Sequence, residues 1–295
     1  MASDLTVHHL NCASIQGLWL RGQHLVCHVL LVETPSDGLV LVDTGLGTAD
    51  YARITSRLGA GFAYGYARPR LDPTLAAVNQ VRALGYDPRD VRHIIQTHLD
   101  LDHVGGLSDF PEAVVHVDAT ELDAAFRRKG PRARGRYRPG MWAHGPRWAP
   151  FTADGEPWLG FPAARSLEGL PDGILAIPLV GHTVGHCGIA VETADGWLLD
   201  AGDAYFDDRE VKAPRRSCGP GPAIFQAVIT MDRPARHANQ DRLRTLHADH
   251  PEVRMFAAHN PFEYLELARA EGFEPRGVTA HRGLRRDRGQ LVEHP

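Results

Sequence analysis

The sequence predicts a layered α/β (α+β) protein, and three observations support this fold class. Apolar stretches with the spacing of strands alternate along the chain with stretches that have the spacing of helices. With 295 residues, 43% of them apolar and 23% charged, the chain has an ordinary globular composition and can build a full core. Residues of the types that bind metal ions follow several of the predicted strands.

The first predicted elements are a β-hairpin and a helix. Residues 24–45 contain two apolar stretches separated by a Pro-Ser-Asp-Gly turn at 35–38. Within 71–85, the spacing of Leu75, Val78 and Val81 predicts a helix. The later predicted elements are strands at 93–96, 113–117, 174–180, 188–192, 197–199 and 253–257, and helices at 118–128 and about 235–247.

Residues 127–170 have no clear periodicity and are rich in arginine and tryptophan. Trp142, Trp148 and Trp158 lie in this segment, and a solvated linker has little use for such residues. We expect a long aromatic loop inserted in a single domain that spans residues 1–295. Two interpretations stay open, a surface insertion packed by its own aromatic residues and a lid over a substrate.

Bulk properties restrict the partners and the location. The net charge of −4 provides no general basic field for nucleic acid or a membrane, although residues 127–138 form a local basic run. The four cysteines show neither CxxC spacing nor a disulfide framework. The N-terminus has no signal-peptide pattern and no apolar stretch is long enough for a membrane span, so we expect a cytoplasmic protein with a small-molecule partner.

Residues 97–106, THLDLDHVGG, are the most informative part of the chain. They place His98, Asp100, Asp102 and His103 within one loop after a predicted strand. Imidazole nitrogens and carboxylate oxygens suit divalent transition ions, and alternate residues of an extended segment project to the same side. A polar loop with capping aspartates would explain a single HxD pair, but it explains the whole cluster less well than a metal site does.

Three later segments each add one candidate ligand near a strand end. His182 lies in GHTVGH after the strand at 174–180, and Asp203 lies in LLDAGDAYF just past the strand at 197–199. His259 follows the strand at 253–257. We expect His186, four residues after His182, to support the loop rather than bind an ion.

These motifs resemble those of the metallo-β-lactamase superfamily, and the order and spacing match from Asp43 to His259. The resemblance implies a four-layer αββα sandwich with two divalent ions at one edge of the sheets. It implies that His98, Asp100 and His182 hold one ion, that Asp102, His103 and His259 hold the other, and that Asp203 bridges them. Asp43 would be a supporting residue. Within the superfamily the chain is similar to the quorum-quenching lactonases.

Two residues depart from the pattern of that group. The usual motif is HxHxDH, whereas the second position here is Asp100. With Asp102, Asp203 and a bridging hydroxide, Asp100 would give four negative charges that balance two divalent ions. We therefore expect weaker Lewis acidity and more tolerance of iron(II) or manganese(II), with zinc still the first expectation. The lactonases also carry a tyrosine three residues after the bridging aspartate, where this chain has Phe206, with Tyr205 beside it.

The resulting hypothesis is a metal-dependent hydrolase of a small lactone, ester or thioester. A metal-bridging hydroxide would attack the carbonyl, and Asp102 would orient it and carry its proton. The predicted substrate-binding residues are Tyr205, Phe206, Trp142, His144 and Trp148. The alternatives are a phosphodiester or nucleic-acid hydrolase and an iron-dependent persulfide dioxygenase, whereas a metal-stabilised binding module fits the thiolate-poor ligand set less well. The sequence leaves a homodimer open.

Overall fold

The chain forms two six-stranded sheets, as seen in a computed structural model that describes residues 5–17, 20, 24–278, 284–287 and 290–293. The strands of the first sheet, in their spatial order, are β1 (Thr6–Ile15), β2 (Leu25–Glu33), β3 (Leu39–Val42), β4 (Val91–Ile95), β5 (Val114–Asp118) and β6 (Arg147–Phe151). β1, β2 and β3 are antiparallel, and β3 to β6 run parallel.

The second sheet contains mainly antiparallel strands. They are β7 (Glu156–Trp158), β8 (Phe161–Ser166), β9 (Ile174–Pro178), β10 (Cys187–Thr193), β11 (Gly196–Asp200) and β12 (Val253–Phe256). β11 and β12 pair in parallel, so both strands end at the same edge of the sheet. A separate pair, β13 (Leu284–Asp287) and β14 (Gln290–Glu293), follows.

Helices pack against strands of both sheets, and the shorter ones lie in the connecting loops. They are α1 (Thr48–Ala52), α2 (Ile54–Leu58), α3 (Ala77–Ala83), α4 (Leu101–Val104), α5 (Ala119–Arg127), α6 (Gly130–Arg136), α7 (Pro220–Ile229), α8 (Arg233–Asp249) and α9 (Pro261–Ala270). A π-helix at Gly61–Tyr66 follows α2. In the described part of the chain, no helix has the length and apolar character needed to cross a membrane.

Side chains alternate between the layers along the buried strands. In β2, Leu31 packs against the helices on the outer face, whereas Leu30 and Val32 point into the layer between the sheets. Ile189 and Val191 of β10 meet them from the second sheet. Leu243 of α8 packs on the far side of that sheet. The predicted four-layer αββα sandwich is therefore confirmed.

Most of the predicted elements are present within a few residues of their expected bounds. The helix expected within 71–85 is shorter, because Pro73–Leu75 forms a 3₁₀ turn and Ala76 is extended at ψ 134° before α3 begins. The Gln80 side chain stabilises this break by donating to the Leu75 carbonyl at 2.7 Å.

The expectation of an aromatic loop at 127–170 is wrong. The segment contains α6, β6, β7 and β8, and its strands complete an edge of each sheet. β6 is only partly buried along most of its length, so it lacks the apolar alternation that marks a strand with one buried face.

Candidate metal centre

The first ligand loop leaves β4 and is fixed by Asp43 at the end of β3. Asp43 accepts hydrogen bonds from the amide and the hydroxyl of Thr97 at 2.8 and 2.7 Å and contacts His103 Nδ1 at 2.7 Å. Because Nδ1 is engaged in this way, Nε2 of His103 faces the other predicted ligands. Asp43 thus has the supporting position that the motif implies.

The three later ligands come from loops at the same edge of the sandwich. His182 follows β9, Asp203 follows β11 and His259 follows β12. His259 Nδ1 donates to the Val26 carbonyl at 2.7 Å, which turns Nε2 toward the site. His186 contacts the Leu179 carbonyl through Nδ1 and accepts from the Asp203 amide at 2.9 Å, so it supports the loops as expected.

The first group of donor atoms contains His98, Asp100 and His182. Asp100 Oδ2 lies 3.0 Å from His182 Nε2 and 3.6 Å from His98 Nε2. Their donor atoms all lie within 4.8 Å of one another. Asp203 Oδ2 joins this group at 3.5 Å from His182 Nε2.

The second group surrounds the other oxygen of Asp203. Asp203 Oδ1 lies 3.4 Å from His103 Nε2 and 3.3 Å from His259 Nε2. The two imidazole nitrogens are 3.4 Å apart, and Asp102 Oδ2 lies 3.6 Å from His259 Nε2. The two oxygens of Asp203 therefore face different groups, and all seven predicted ligands converge.

The residues present fit a pair of transition-metal ions. Ligand atoms about 2.0–2.1 Å from a tetrahedral zinc ion are separated by about 3.3 Å, close to most of the separations between these donors. His98 Nε2, Asp100 Oδ1 and Asp203 Oδ1 are buried and make no hydrogen bond, which is unfavourable unless a cation satisfies them.

Electrostatics keep two of these ligands in the form that binds metal. Burial and the neighbouring His103 hold the pKa of His98 well below its usual range, so its imidazole is neutral. Burial raises the pKa of Asp203, but the neighbouring His259 and His182 lower it by a larger amount in total. The pKa therefore lies well below its usual range and the carboxylate is charged.

Arg136 is a site residue that the sequence analysis did not identify. It ends α6, and its Nε lies 3.4 Å from Asp100 Oδ1. The guanidinium also donates to the His182 carbonyl at 3.2 Å and to the Ile229 carbonyl. Burial raises the pKa of Asp100, but Arg136 lowers it, and His182 and His98 lower it by smaller amounts. As a result, the pKa of Asp100 lies well below its usual range.

Cys27 was also not identified. Its thiol adjoins the second donor group, because the donor atoms of Cys27, Asp102 and His259 lie within 4.8 Å of one another. Burial raises the pKa of the Cys27 thiol, whereas a hydrogen bond with His259 lowers it by less. The only sequence signal was a cysteine within the β2 strand, which equally suits a core position.

A cavity of about 840 Å³ opens onto the ligand cluster. Asp100, Asp102, Asp203 and His259 lie at its base. Most of its wall is apolar or aromatic and includes Phe62, Tyr66, Phe206, Ile224, Phe225 and Ile229. Ile224 is 69% exposed and Val228 60% exposed, so α7 presents an apolar face beside the site.

Of the five predicted substrate-binding residues, the structure brings only Phe206 to this cavity. Trp142 stacks on Phe126 and meets Trp148 edge to face, and the three rings pack together at the start of β6. His144 is exposed on the adjoining turn. Tyr205 is fully buried because it lies on the opposite side of the chain from Phe206, and its hydroxyl donates to Glu263 at 3.0 Å.

Comparison with known families agrees with this geometry. The model of the metallo-β-lactamase superfamily matches residues 22–259. The chain belongs to this superfamily, among its metallo-hydrolases. A probable metallo-hydrolase of Mycobacterium tuberculosis is 42% identical over 267 residues, which span 89% of this chain and 82% of that protein.

Lactonases are among the other similar proteins. The N-acyl homoserine lactonase AttM of Agrobacterium fabrum is 45% identical over 58 residues, 20% of this chain and 22% of that protein. The fold resembles a Bacillus thuringiensis AiiA variant with N-decanoyl-L-homoserine bound at its active site, with a TM-score of 0.66, 20% identity and coverage of 90% and 96% of the two chains. The dizinc lactonase AidC, solved with a product, gives a TM-score of 0.60 at 17% identity and covers 89% and 90%.

Proposed function

We propose that this protein is a hydrolase of lactones, esters or thioesters that carry an apolar acyl group. The observation that carries the proposal is the apolar cavity of about 840 Å³ whose base is formed by the metal-ligand cluster. The solved lactonases named above, which hold acyl-homoserine products, support this substrate class.

We further propose that two zinc ions are bound, with iron(II) or manganese(II) as alternatives. His98, Asp100 and His182 would hold one ion, Asp102, His103 and His259 would hold the other, and Asp203 would contact both. Bound ions of this kind acidify water and polarise a carbonyl group. The separate orientation of the two Asp203 oxygens supports the bridging role.

Asp102 is the proposed proton carrier. It lies at the cavity base, with Oδ2 3.6 Å from His259 Nε2. From this place its carboxylate can take a proton from a water held at the cluster and pass it to the leaving oxygen or sulfur.

Tyr66 is the proposed replacement for the tyrosine that the lactonases have at the position of Phe206. Phe206 lines the cavity but has no hydroxyl group, and the hydroxyl of Tyr205 contacts Glu263. Tyr66 lines the same cavity with 42% of its surface exposed, and a tyrosine phenol ordinarily has a pKa of about 10. The phenol therefore stays protonated and can donate a hydrogen bond to the substrate carbonyl.

The basic run at 127–138 gives little support to the nucleic-acid alternative. Arg127 pairs with Asp123 at 2.6 Å, and Arg128 donates to the Tyr137 carbonyl at 2.8 Å. Arg136 contacts Asp100. Three basic side chains of the run are thus paired within the protein, which leaves fewer of them for phosphates.

The test is hydrolysis of a substrate panel by zinc-loaded protein. Acyl-homoserine lactones, aryl esters and acyl thioesters with short and long chains are compared for the wild type and Asp102→Asn. We expect kcat/KM to fall at least about 100-fold in the variant, the usual effect of losing a proton carrier. Asp232→Asn is the matched control, because Asp232 caps α8 and asparagine caps helices equally well.

The proposal is wrong if the wild type cleaves no panel member faster than Asp102→Asn. Cleavage of a phosphodiester alone would instead support the nucleic-acid alternative. Oxygen consumption with a persulfide substrate would support the dioxygenase alternative.

A further inference from the structure

Position 100 carries a carboxylate where the related motif has an imidazole, and this carboxylate faces two different partners. Asp100 Oδ2 points to the donor group, 3.0 Å from His182 Nε2. Asp100 Oδ1 forms an ion pair with Arg136 Nε at 3.4 Å and makes no hydrogen bond. The two oxygens are thus divided between the ligand cluster and the guanidinium.

Arg136 is held in this position by further contacts. Its guanidinium donates to the carbonyls of His182, in the loop after β9, and of Ile229, at the end of α7. The side chain is 7% exposed. A buried arginine with these fixed partners is not a mobile surface charge whose contact with Asp100 is incidental.

We propose that Asp100 and Arg136 together replace a neutral histidine ligand. This inference rests on the proposed metal site. Arg136 acts as a positioning residue that engages Oδ1 and leaves Oδ2 alone for the ion. The pair has no net charge, so the cluster keeps the charge that an imidazole at position 100 would give it.

The charge count of the site changes accordingly. Asp100, Asp102 and Asp203 alone supply three negative charges, and Arg136 reduces this sum to two. The weak Lewis acidity expected from three carboxylates is then no longer expected, because the third charge is compensated within a few ångströms.

The test is a double-mutant cycle in metal affinity with Asp100→His, Arg136→Met and the double variant. Zinc affinity is measured by competition with a chromophoric chelator, and ions per chain by mass spectrometry. Asp100→His leaves the guanidinium uncompensated beside the ions, so zinc affinity falls about 10- to 100-fold. Adding Arg136→Met removes that charge and restores most of the loss.

Thermal unfolding without metal provides a second readout. Arg136→Met alone leaves Asp100 without its guanidinium partner, close to the carboxylates of Asp102 and Asp203. We therefore expect a lower Tm for Arg136→Met than for the double variant when both are metal-free. Asp100→Asn, which is nearly isosteric, replaces Asp100→His in the cycle if the histidine variant does not fold.

Arg138→Met is the matched control. Arg138 lines the same cavity but donates to the Leu58 carbonyl at 3.3 Å. When Arg138→Met is added to Asp100→His, zinc affinity should stay within about threefold of that of Asp100→His alone, because a charge that has no direct contact with the ligands is largely screened.

Two results would overturn the inference while the proposed function stands. One is unchanged zinc affinity in Asp100→His with Arg136 intact. The other is a loss of affinity on adding Arg136→Met to Asp100→His, which would mean that the arginine only supports the loops. A wild-type chain that binds no ion would instead contradict the proposed function and the inference together.

Discussion

Replacing Asp43 with asparagine tests whether a buried carboxylate orients the metal-binding loop. Asp43 has a left-handed backbone conformation at φ 60°. Asparagine tolerates this conformation, so the substitution removes the negative charge without adding backbone strain. Any effect therefore reports on the contacts with Thr97 and His103.

The structure sets the expected size of the effect. The carboxylate engages three donors, at 2.7–2.8 Å. Asparagine keeps one oxygen and turns its amide group toward one of these donors. Losing a charge-assisted hydrogen bond and leaving a buried donor unpaired together destabilise the fold by about 3 kcal/mol. The misplaced His103 should lower metal affinity about 10- to 100-fold.

The effect on stability should depend on pH. Burial lowers the pKa of His103, but Asp43 and Asp203 raise it, and the folded-state pKa lies well above normal. The protonated imidazole therefore contributes stability that is fully present below its unfolded pKa of about 6.5 and is lost as the pH rises through the folded value. In metal-free protein, the difference in the free energy of unfolding between the wild type and Asp43→Asn should therefore become smaller as the pH rises through that range.

Urea unfolding with and without chelator, together with zinc competition, measures these quantities. Asp118→Asn is the control, because Asp118 caps α5 through the amides of Thr120 and Glu121 and asparagine caps as well, so the change should stay within about 0.5 kcal/mol. If Asp43→Asn keeps the stability and the zinc affinity of the wild type, the reasoning is refuted.

Three further predictions concern the cavity, a buried acid and the ions. Phe225→Ala should lower kcat/KM about 10-fold or more for long-chain acyl substrates but not for short ones, because Phe225 packs on Phe206 in the cavity wall. Equal losses for both chain lengths would contradict this prediction. Burial raises the pKa of Asp50 to about 6 despite the neighbouring Arg57. As the pH rises from 4 to 6, the free energy of unfolding of the wild type should therefore fall by up to about 3 kcal/mol relative to that of Asp50→Asn. Urea-unfolding stabilities of the two proteins that change in parallel with pH would argue against this prediction. Chelation should lower Tm, because ions at 1,000 times their Kd stabilise the folded state by about 4 kcal/mol; an unchanged Tm in a chelator titration would count against bound ions.

The meeting of the candidate ligands at one edge of the fold was predictable from the sequence, because each of them lies close to a strand end. Each candidate follows a strand by a few residues, and the ends of neighbouring strands meet at one edge of a sheet. Asp203 and His259 illustrate this, since they follow the parallel pair β11 and β12. Short-range spacing therefore indicates that these side chains gather at one edge, whereas their assignment to two ions comes from the resemblance to the metallo-β-lactamase superfamily.

Arg136 and Cys27 were not predictable because their roles depend on tertiary contacts. Arg136 lies 36 positions from Asp100 in a segment without periodicity, where several other arginines look equivalent. Cys27 reaches the site only because β2 passes beside the loop that holds His259. No spacing in the sequence relates either residue to the ligands.

The strand β1 was missed because its buried polar residues hide the usual pattern. His8 pairs with Glu33 at 2.6 Å, and His9 pairs with His28 at 2.7 Å across the neighbouring strand. These partners allow polar side chains to be buried in a sheet. The sequence of β1 therefore lacks the apolar alternation that predicts a strand.

Anomalous diffraction from crystals grown with zinc tests the central claim most directly, namely that seven side chains hold two ions at one edge of the sandwich. We predict two peaks within bonding distance of these side chains, one beside His98 and His182, the other beside His103 and His259, with Asp203 contacting both. A single peak, or ions bound elsewhere while these side chains bind none, would contradict the claim.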